Sequence, residues 1–151
     1  IERFTMFTFS PIRGRTELLC DYVRDTVRDG KPLKGDPVIR QKVAQLVTEC
    51  EVARLLGVRF VDAALTAGKT PTIEASEYKL YATELSRRLA DATMDIAGPG
   101  TQLALGTEDA PLKGRAESCY TYTVIDTIGG GSSEVQKNII AKRKLDLPKN
   151  F

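Results

Sequence analysis

The chain has 151 residues, 42% of them hydrophobic and 28% charged, a composition typical of one globular domain with its own core. Its 22 Lys and Arg residues nearly balance 20 Asp and Glu residues, which leaves a net charge of +2. This balance indicates neither a nucleic-acid-binding patch nor a basic membrane-binding face, and no apolar run is long enough to span a bilayer. Because the sequence opens with Ile1 in a helix-like pattern and without an initiator Met, we expect residues 1–151 to be one domain of a longer chain.

The reactive side chains narrow the possible chemistry further. The three cysteines, Cys20, Cys50 and Cys119, are odd in number and far apart, so they predict neither a disulfide framework nor a metal site. We expect them to be buried, reduced thiols in the cytoplasm. The absence of histidine excludes a Ser-His or Cys-His nucleophile and a His-ligated metal within this chain. Any acid–base step must therefore use a carboxylate, Lys, Tyr or Cys.

The first half of the chain predicts two long helices. The first is predicted over residues 2–28, bent near Pro11 or Gly14, and ends at Asp29 and Gly30. The second is predicted to run from an Asp36 N-cap to about residue 67, with Pro in its first turn. Its predicted buried face consists of Ile39, Val43, Leu46, Cys50 and Ala53, broadened by Val47, Leu55, Leu56 and Phe60.

The second half predicts three more helices. One covers about 73–97 and ends at the Gly98-Pro99-Gly100 turn; the others cover about 111–128 and, more briefly, 133–143. The third helix has apolar residues at steps of three and four, namely Tyr78, Tyr81, Leu85, Leu89, Ala92 and Ile96. Strand signals are nearly absent. The predicted fold is all-α: an antiparallel four-helix bundle with a short fifth C-terminal helix.

A triglycine run, residues 129–131, precedes the last helix. Three glycines allow positive φ and a close approach to the backbone, and Ser133 with Gln136 has the spacing of a capping box. Such a loop directs free N–H groups and the positive end of a helix dipole outward, which suits a phosphate or another anion. The alternative is a flexible turn between helices with an ordinary cap.

Several stretches of the chain, in order, resemble the C-terminal domain of acyl-CoA dehydrogenases. The most specific is GGSSEVQKNIIAKR at 130–143, followed by Leu145 and Leu147-Pro148. The stretch DPVIRQKVA at 36–44 is similar to the start of that domain's second helix, ASEYKL at 75–80 to the start of its third, and DIAGPG at 95–100 to a glycine-rich turn. The resemblance covers essentially the whole chain.

The resemblance implies a larger enzyme with an N-terminal helical domain, a middle β-barrel and this C-terminal bundle. Enzymes of this family use FAD to remove a proton from Cα and a hydride from Cβ of an acyl-CoA thioester. The resemblance further implies homo- or hetero-oligomers through the bundle and an electron-transferring flavoprotein as electron acceptor. Neither nucleic acid nor membrane is expected as a partner, and a substrate from fatty acid or steroid catabolism is left open.

The resemblance also gives a candidate catalytic base, which removal of a proton α to a thioester requires. One of the family's two positions for a catalytic glutamate is Gly130 in this sequence, which cannot accept a proton. The other falls on Glu2, and the neighbouring Arg3 aligns with a family residue near the substrate. Alternatively, Glu2 is a solvated residue near a frayed end and Arg3 pairs with a surface acid.

Cofactor contacts in this family come partly from the bundle of a neighbouring subunit. By position, Ser132 and Glu134 are expected near the adenine or pyrophosphate of FAD, with Gly131 in the same loop. Ser132 as a plain helix cap is compatible with that role. Gly98 and Gly100 are expected to permit close approach of the backbone.

The sequence departs from the family where the first helix ends. Many members have an Arg-x-x-Phe-Gly motif and a later Gln that hold FAD, but this chain has TVRDG at 26–30 and Pro37 at the Gln position. Arg28, displaced by two residues from the usual Arg, is the candidate cofactor-binding residue of this stretch, and Asp29 beside a pyrophosphate is electrostatically unfavourable. Subunits of two-gene enzymes that act on steroid side chains look similar in this way.

Three functions remain open on the sequence. The first is the C-terminal domain of an FAD-dependent acyl-CoA dehydrogenase, inactive as an isolated domain. The second is an assembly subunit whose catalytic site has decayed, which the glycine at position 130 motivates. The third is a helical binding module unrelated to flavins, since a helical fold alone does not define a function.

Overall fold

The computed structural model describes residues 9–66, 68 and 71–148. These residues form five α-helices: α1 (Phe9–Asp25), α2 (Pro37–Thr66), α3 (Thr72–Ala97), α4 (Arg115–Ile128) and α5 (Ser133–Arg143). The predicted all-α bundle with a short fifth helix is therefore confirmed. The strands of the described residues form one small hairpin, β1 (Val27–Arg28) with β2 (Lys31–Pro32).

Helix α3 is the centre of the bundle and packs against the other four helices. Two ion pairs fix its direction against α2: Lys42 with Asp95 at 3.1 Å, and Arg59 with Glu77 at 3.7 Å. Because the start of α2 meets the end of α3 and the reverse, the two helices are antiparallel. The main core contains Ile12, Leu19, Val23, Leu33, Leu46, Cys50, Ala53, Tyr78, Ala82, Leu85, Leu89 and Ile96.

Helix α2 begins as predicted but buries a narrower face. The Asp36 carboxylate accepts hydrogen bonds from the Val38 and Ile39 N–H groups at 2.8 and 3.1 Å, which confirms it as the N-cap. The predicted broadening of the face is wrong for Val47 and Leu55, whose surfaces are 41% and 57% exposed. A helix of 30 residues that faces α1 and α3 leaves its outer side uncovered.

The predicted end of the first helix at residue 28 is wrong. Helix α1 ends at Asp25, and the chain then forms the β1–β2 hairpin, in which Arg28 pairs with Lys31. The two loop residues, Asp29 and Gly30, have φ of 51° and 73°. Asp-Gly at two consecutive positive-φ positions is the preferred composition of a type I′ hairpin turn.

The predicted start of the fourth helix at residue 111 is also wrong. Residues Pro111–Gly114 form a separate short turn in which Leu112, Lys113 and Gly114 all have positive φ. Regular α-helix begins only at Arg115. The cause is tight packing: a Cβ on Gly114 would lie 2.3 Å from the Ala104 carbonyl oxygen.

Helix α4 has a polar inner side and an apolar outer side. On the side that faces α3, the Asp126 carboxylate accepts a hydrogen bond from the Ser86 hydroxyl of α3 at 3.1 Å. Burial raises the pKa of Asp126, although this hydrogen bond opposes the shift. Facing outward, Tyr120, Val124, Ile125 and Ile128 are exposed. An apolar helix face of this kind indicates an interaction surface.

Candidate functional site

Six of the eight predicted site residues lie in the described part of the chain. The candidate base Glu2 and the substrate candidate Arg3 lie outside the described residues. The other six form two groups. We call Arg28, Gly98 and Gly100 the hairpin cluster, and residues 129–134, which include Gly131, Ser132 and Glu134, the glycine turn.

In the hairpin cluster the structure brings Arg28 and Gly98 together across 70 positions of sequence. Arg28 Nη2 donates a hydrogen bond of 2.6 Å to the Ile96 carbonyl oxygen at the end of α3. Gly98 has φ of 85°, and a Cβ there would lie 3.8 Å from Arg28 Nη2. Because Arg28 is exposed, its remaining N–H donors can reach an anion in front of this turn.

Gly100 has a structural reason of its own to be glycine. A Cβ at this position would lie 3.1 Å from Cδ of Pro111, which is closer than ordinary van der Waals contact. The turn after α3 therefore packs directly on the segment before α4. Thr101, which is buried, strengthens the same turn by donating to the Gly98 carbonyl oxygen at 2.6 Å.

The glycine turn is half-buried and has an open face, as a binding loop requires. Gly130 and Gly131 have φ of 69° and 98°. The N-cap of α5 is Ser132, whose hydroxyl accepts from the Val135 N–H at 3.5 Å. The predicted capping box of Ser133 with Gln136 is wrong, because the helix begins one residue earlier than that pairing requires.

The two residues of the predicted capping box have other partners. Ser133 donates to the Glu84 carboxylate on α3 at 2.6 Å. Gln136 is fully buried, and its Nε2 donates to the carbonyl oxygens of Gly130 and Gly131 at 3.1 and 3.2 Å. The sequence has no signal for this contact, since a glutamine in a short helix is ordinarily exposed.

The charge at the glycine turn is set by Glu134. Its side chain is exposed, and a hydrogen bond from the Ser132 hydroxyl, followed by one from its own backbone N–H, lowers the pKa of its carboxyl. The positive end of the α5 dipole thus already has a carboxylate beside it. A second anion is less favourable there than in front of Arg28.

The two groups lie far apart on one chain. Ser133 is anchored at Glu84 and Arg28 at Ile96, so the anchors are separated by 12 residues of α3. At 1.5 Å per residue this is about 18 Å. One small pocket of a single chain therefore does not contain both groups.

An open apolar groove lies at the other end of α3. It has a volume of about 450 Å³ and is lined mainly by Phe9, Gly57, Val58, Val61, Leu65 and Tyr78. Phe9, the first described residue of the chain, is part of this lining. None of the helices in the described ranges is long and apolar enough to cross a membrane, and these ranges contain no cluster of metal-ligating side chains.

Several known proteins are similar to this chain. Acyl-CoA dehydrogenase FadE26 of Mycobacterium tuberculosis is 28% identical over 152 residues, and the match covers 98% of this chain and 38% of FadE26. Acyl-CoA dehydrogenase IpdE1 of the same organism is 33% identical over 76% of this chain and 28% of its own length. The chain thus spans about a third of the length of these relatives.

A solved structure and a family model are also similar to this chain. The crystal structure of the ChsE4–ChsE5 complex from Mycobacterium tuberculosis matches with a TM-score of 0.83 and 27% identity, over 95% of this chain and 36% of that one. A family model for the acyl-CoA dehydrogenase C-terminal domain matches residues 1–145. The chain therefore belongs to the acyl-CoA dehydrogenase family, as its C-terminal domain.

Proposed function

We propose that this chain is the C-terminal domain of an FAD-dependent dehydrogenase that introduces an α,β double bond into an acyl-CoA thioester. The observation that carries the proposal is the pair of separated donor groups on a domain of this family: the Arg28 guanidinium beside the Gly98 turn, and the glycine turn at the start of α5. When bound, FAD accepts the hydride that leaves Cβ.

The residues of both groups fit parts of such a cofactor. The free N–H groups of Arg28 suit the pyrophosphate, for which a guanidinium is a strong donor, and Gly98 presents a side-chain-free backbone beside them. Ser132 and Glu134 suit the adenosine rather than the pyrophosphate, because the Glu134 carboxylate repels phosphate. The separation of about 18 Å on α3 is expected if two subunits each supply one group to a shared site.

An oligomer is supported by the outer face of α4. Tyr120, Val124, Ile125 and Ile128 together expose more apolar surface on one side of a helix than a solvated bundle requires. The similar crystal structure is a complex of ChsE4 with ChsE5, and this chain has the fold of the chain that it matches there. We propose a homo- or hetero-oligomer through this bundle, in a longer chain that also has N-terminal helical and β-barrel domains.

Glu2 is the proposed base, with Arg3 near the substrate. Gly130 occupies the other possible position of the base, and its φ of 69° is unfavourable for any residue with a side chain. Phe9, which lines the apolar groove, follows Glu2 closely in the sequence. The proposed acyl-CoA substrate donates its α proton to Glu2, and an electron-transferring flavoprotein in the cytoplasm is the proposed final acceptor of the electrons.

The test is Glu2→Gln in the full-length protein, purified with any co-expressed partner subunit. We expect turnover with acyl-CoA to fall by several hundred-fold, on the order of what general acid–base catalysis contributes, while bound flavin is unchanged. The matched control is Glu17→Gln, which changes an exposed carboxylate of α1 that pairs with Arg13. This control should leave turnover unchanged.

A second candidate function is an assembly subunit whose catalytic site has decayed. Gly130 in place of a base and the hairpin at residues 27–32 in place of the family's Arg-x-x-Phe-Gly motif support it. In that case Glu2→Gln leaves the turnover of the complex unchanged. The third hypothesis, a binding module unrelated to flavins, has no observation in its favour beyond the helical fold.

A further inference from the structure

The side chain of Gln136 has an unusual environment for a glutamine. It is fully buried, and its Nε2 holds two successive carbonyl groups, those of Gly130 and Gly131. Its Oε1 is buried without a hydrogen-bond partner among the described residues. An apolar side chain of the same size would avoid that unsatisfied oxygen, so the two bonds to the turn need an explanation.

The glycine at position 131 is matched to this contact. A Cβ there would lie 2.6 Å from Gln136 Nε2, so any other residue would displace the amide from this position. The amide also fits in one orientation only, because the reverse would place Oε1 against two carbonyl oxygens. Gly131 and Gln136 therefore form one unit.

The two carbonyl bonds fix the direction of two N–H groups. In a trans peptide the N–H points opposite to the C=O of the same peptide, and the described chain has no cis peptide. The carbonyls of Gly130 and Gly131 point inward to Gln136, so the N–H groups of Gly131 and Ser132 point outward. Within the described residues neither of these N–H groups donates a hydrogen bond.

We infer that Gln136 is a positioning residue that turns the Gly131 and Ser132 N–H groups outward as a pair of donors for the nucleotide cofactor. This inference rests on the proposed function, because it takes FAD as the ligand. The Glu134 carboxylate beside the pair selects an uncharged acceptor of the adenosine portion over a phosphate oxygen.

The experiment measures FAD dissociation constants of the full-length protein, with its partner subunit where one is needed, by titrating the apoprotein with FAD. Gln136→Met keeps the size of the side chain and removes the donor. Its matched control is Thr123→Val, which removes another buried donor, the hydroxyl that bonds the Tyr120 carbonyl oxygen at 2.7 Å on α4. Melting temperatures of both variants are recorded without FAD.

For Gln136→Met we expect the dissociation constant to rise about tenfold, the equivalent of about one lost hydrogen bond, while Thr123→Val lowers only the melting temperature. Gly131→Ala should weaken FAD binding similarly, because its Cβ displaces the Gln136 amide. Gln136→Glu should bind weakly at neutral pH and recover as the pH falls, since a protonated carboxyl can again donate to the turn.

The outcomes separate this inference from the proposed function. If the wild type binds FAD and folded Gln136→Met, Gly131→Ala and Gln136→Glu bind it equally well, the positioning role is overturned and the proposed function stands. If the wild type itself does not bind FAD, the proposed function is overturned and this inference with it. If Gln136→Met does not fold, the Gln136→Glu pH profile decides, measured over the pH range in which its melting temperature shows that it is folded: weaker FAD binding at neutral pH than at low pH supports the positioning role, and a flat profile overturns it.

Discussion

Gly114 should be the least replaceable glycine of the loop between α3 and α4. Its φ is 74°, and an added Cβ would lie 2.3 Å from the Ala104 carbonyl oxygen and 2.6 Å from the Leu105 Cα. Both neighbours are backbone atoms, which cannot rotate away as a flexible side chain can. Gly114→Ala therefore forces residues 104 and 105 to move.

The expected loss in free energy of unfolding has two parts. An alanine at positive φ costs about 1–2 kcal/mol, and forcing extra atoms into a packed site costs about 1–3 kcal/mol more. Together they predict that Gly114→Ala lowers the free energy of unfolding by about 2–5 kcal/mol, a large share of the 5–15 kcal/mol that is typical of a domain.

The assay is urea unfolding of the 151-residue chain, followed by far-ultraviolet circular dichroism. Gly106→Ala is the control, because Gly106 has φ of 90° in the same loop and open space where its Cβ would be. Gly106→Ala should lower the free energy of unfolding only by the cost of an alanine at positive φ, about 1–2 kcal/mol. Equal losses for the two variants would refute the packing of Gly114 against residue 104.

Two further stability predictions concern single carboxylates. Burial raises the pKa of Asp126 in the folded chain, so the folded state binds its proton more tightly and the wild type should become more stable as the pH falls through that raised pKa. Asp126→Asn should therefore be the more stable protein at neutral pH and lose this advantage on acidification. Parallel pH–stability curves for the two proteins would contradict the assignment. Asp36→Ala removes the α2 N-cap, whose carboxylate accepts from the Val38 and Ile39 N–H groups, and should lower the free energy of unfolding in urea by about 1 kcal/mol. Asp36→Ser should recover most of that stability. An equal loss for both variants would show that the cap contributes nothing.

The helices could be predicted from the sequence because their signals are local. Asp36 marked the start of α2, Gly98 the end of α3, and the apolar spacing from Tyr78 to Ile96 identified the buried side of α3. Each of these signals depends on residues within a few turns of one another. Boundaries set by such residues agree closely with the structure.

The hairpin and the break before α4 were missed for different reasons. Asp29-Gly30 is a recognised I′ turn signal, but only four residues form the strands, too few for a strand pattern. The turn at Pro111–Gly114 depends on the backbone of residue 104, which is a tertiary contact. No local pattern could have predicted it.

The candidate site was predictable in its members but not in its arrangement. The triglycine run and the residues around Gly98 could be selected by resemblance, yet no sequence pattern indicates that Arg28 bonds the end of α3 or that Gln136 bonds the glycine turn. Both contacts join a side chain to a backbone carbonyl, and side-chain identity does not reveal such partners. The burial of Gln136 in particular runs against its usual preference for the surface.

We propose that this bundle supplies part of an FAD site that a second subunit completes. The most direct measurement is the amount of FAD bound by the full-length protein, purified with any co-expressed partner, for the wild type and for Arg28→Ala. We expect a flavin-containing wild type and a marked loss of flavin from Arg28→Ala. A colourless wild-type complex that FAD does not stabilise against heat would contradict it.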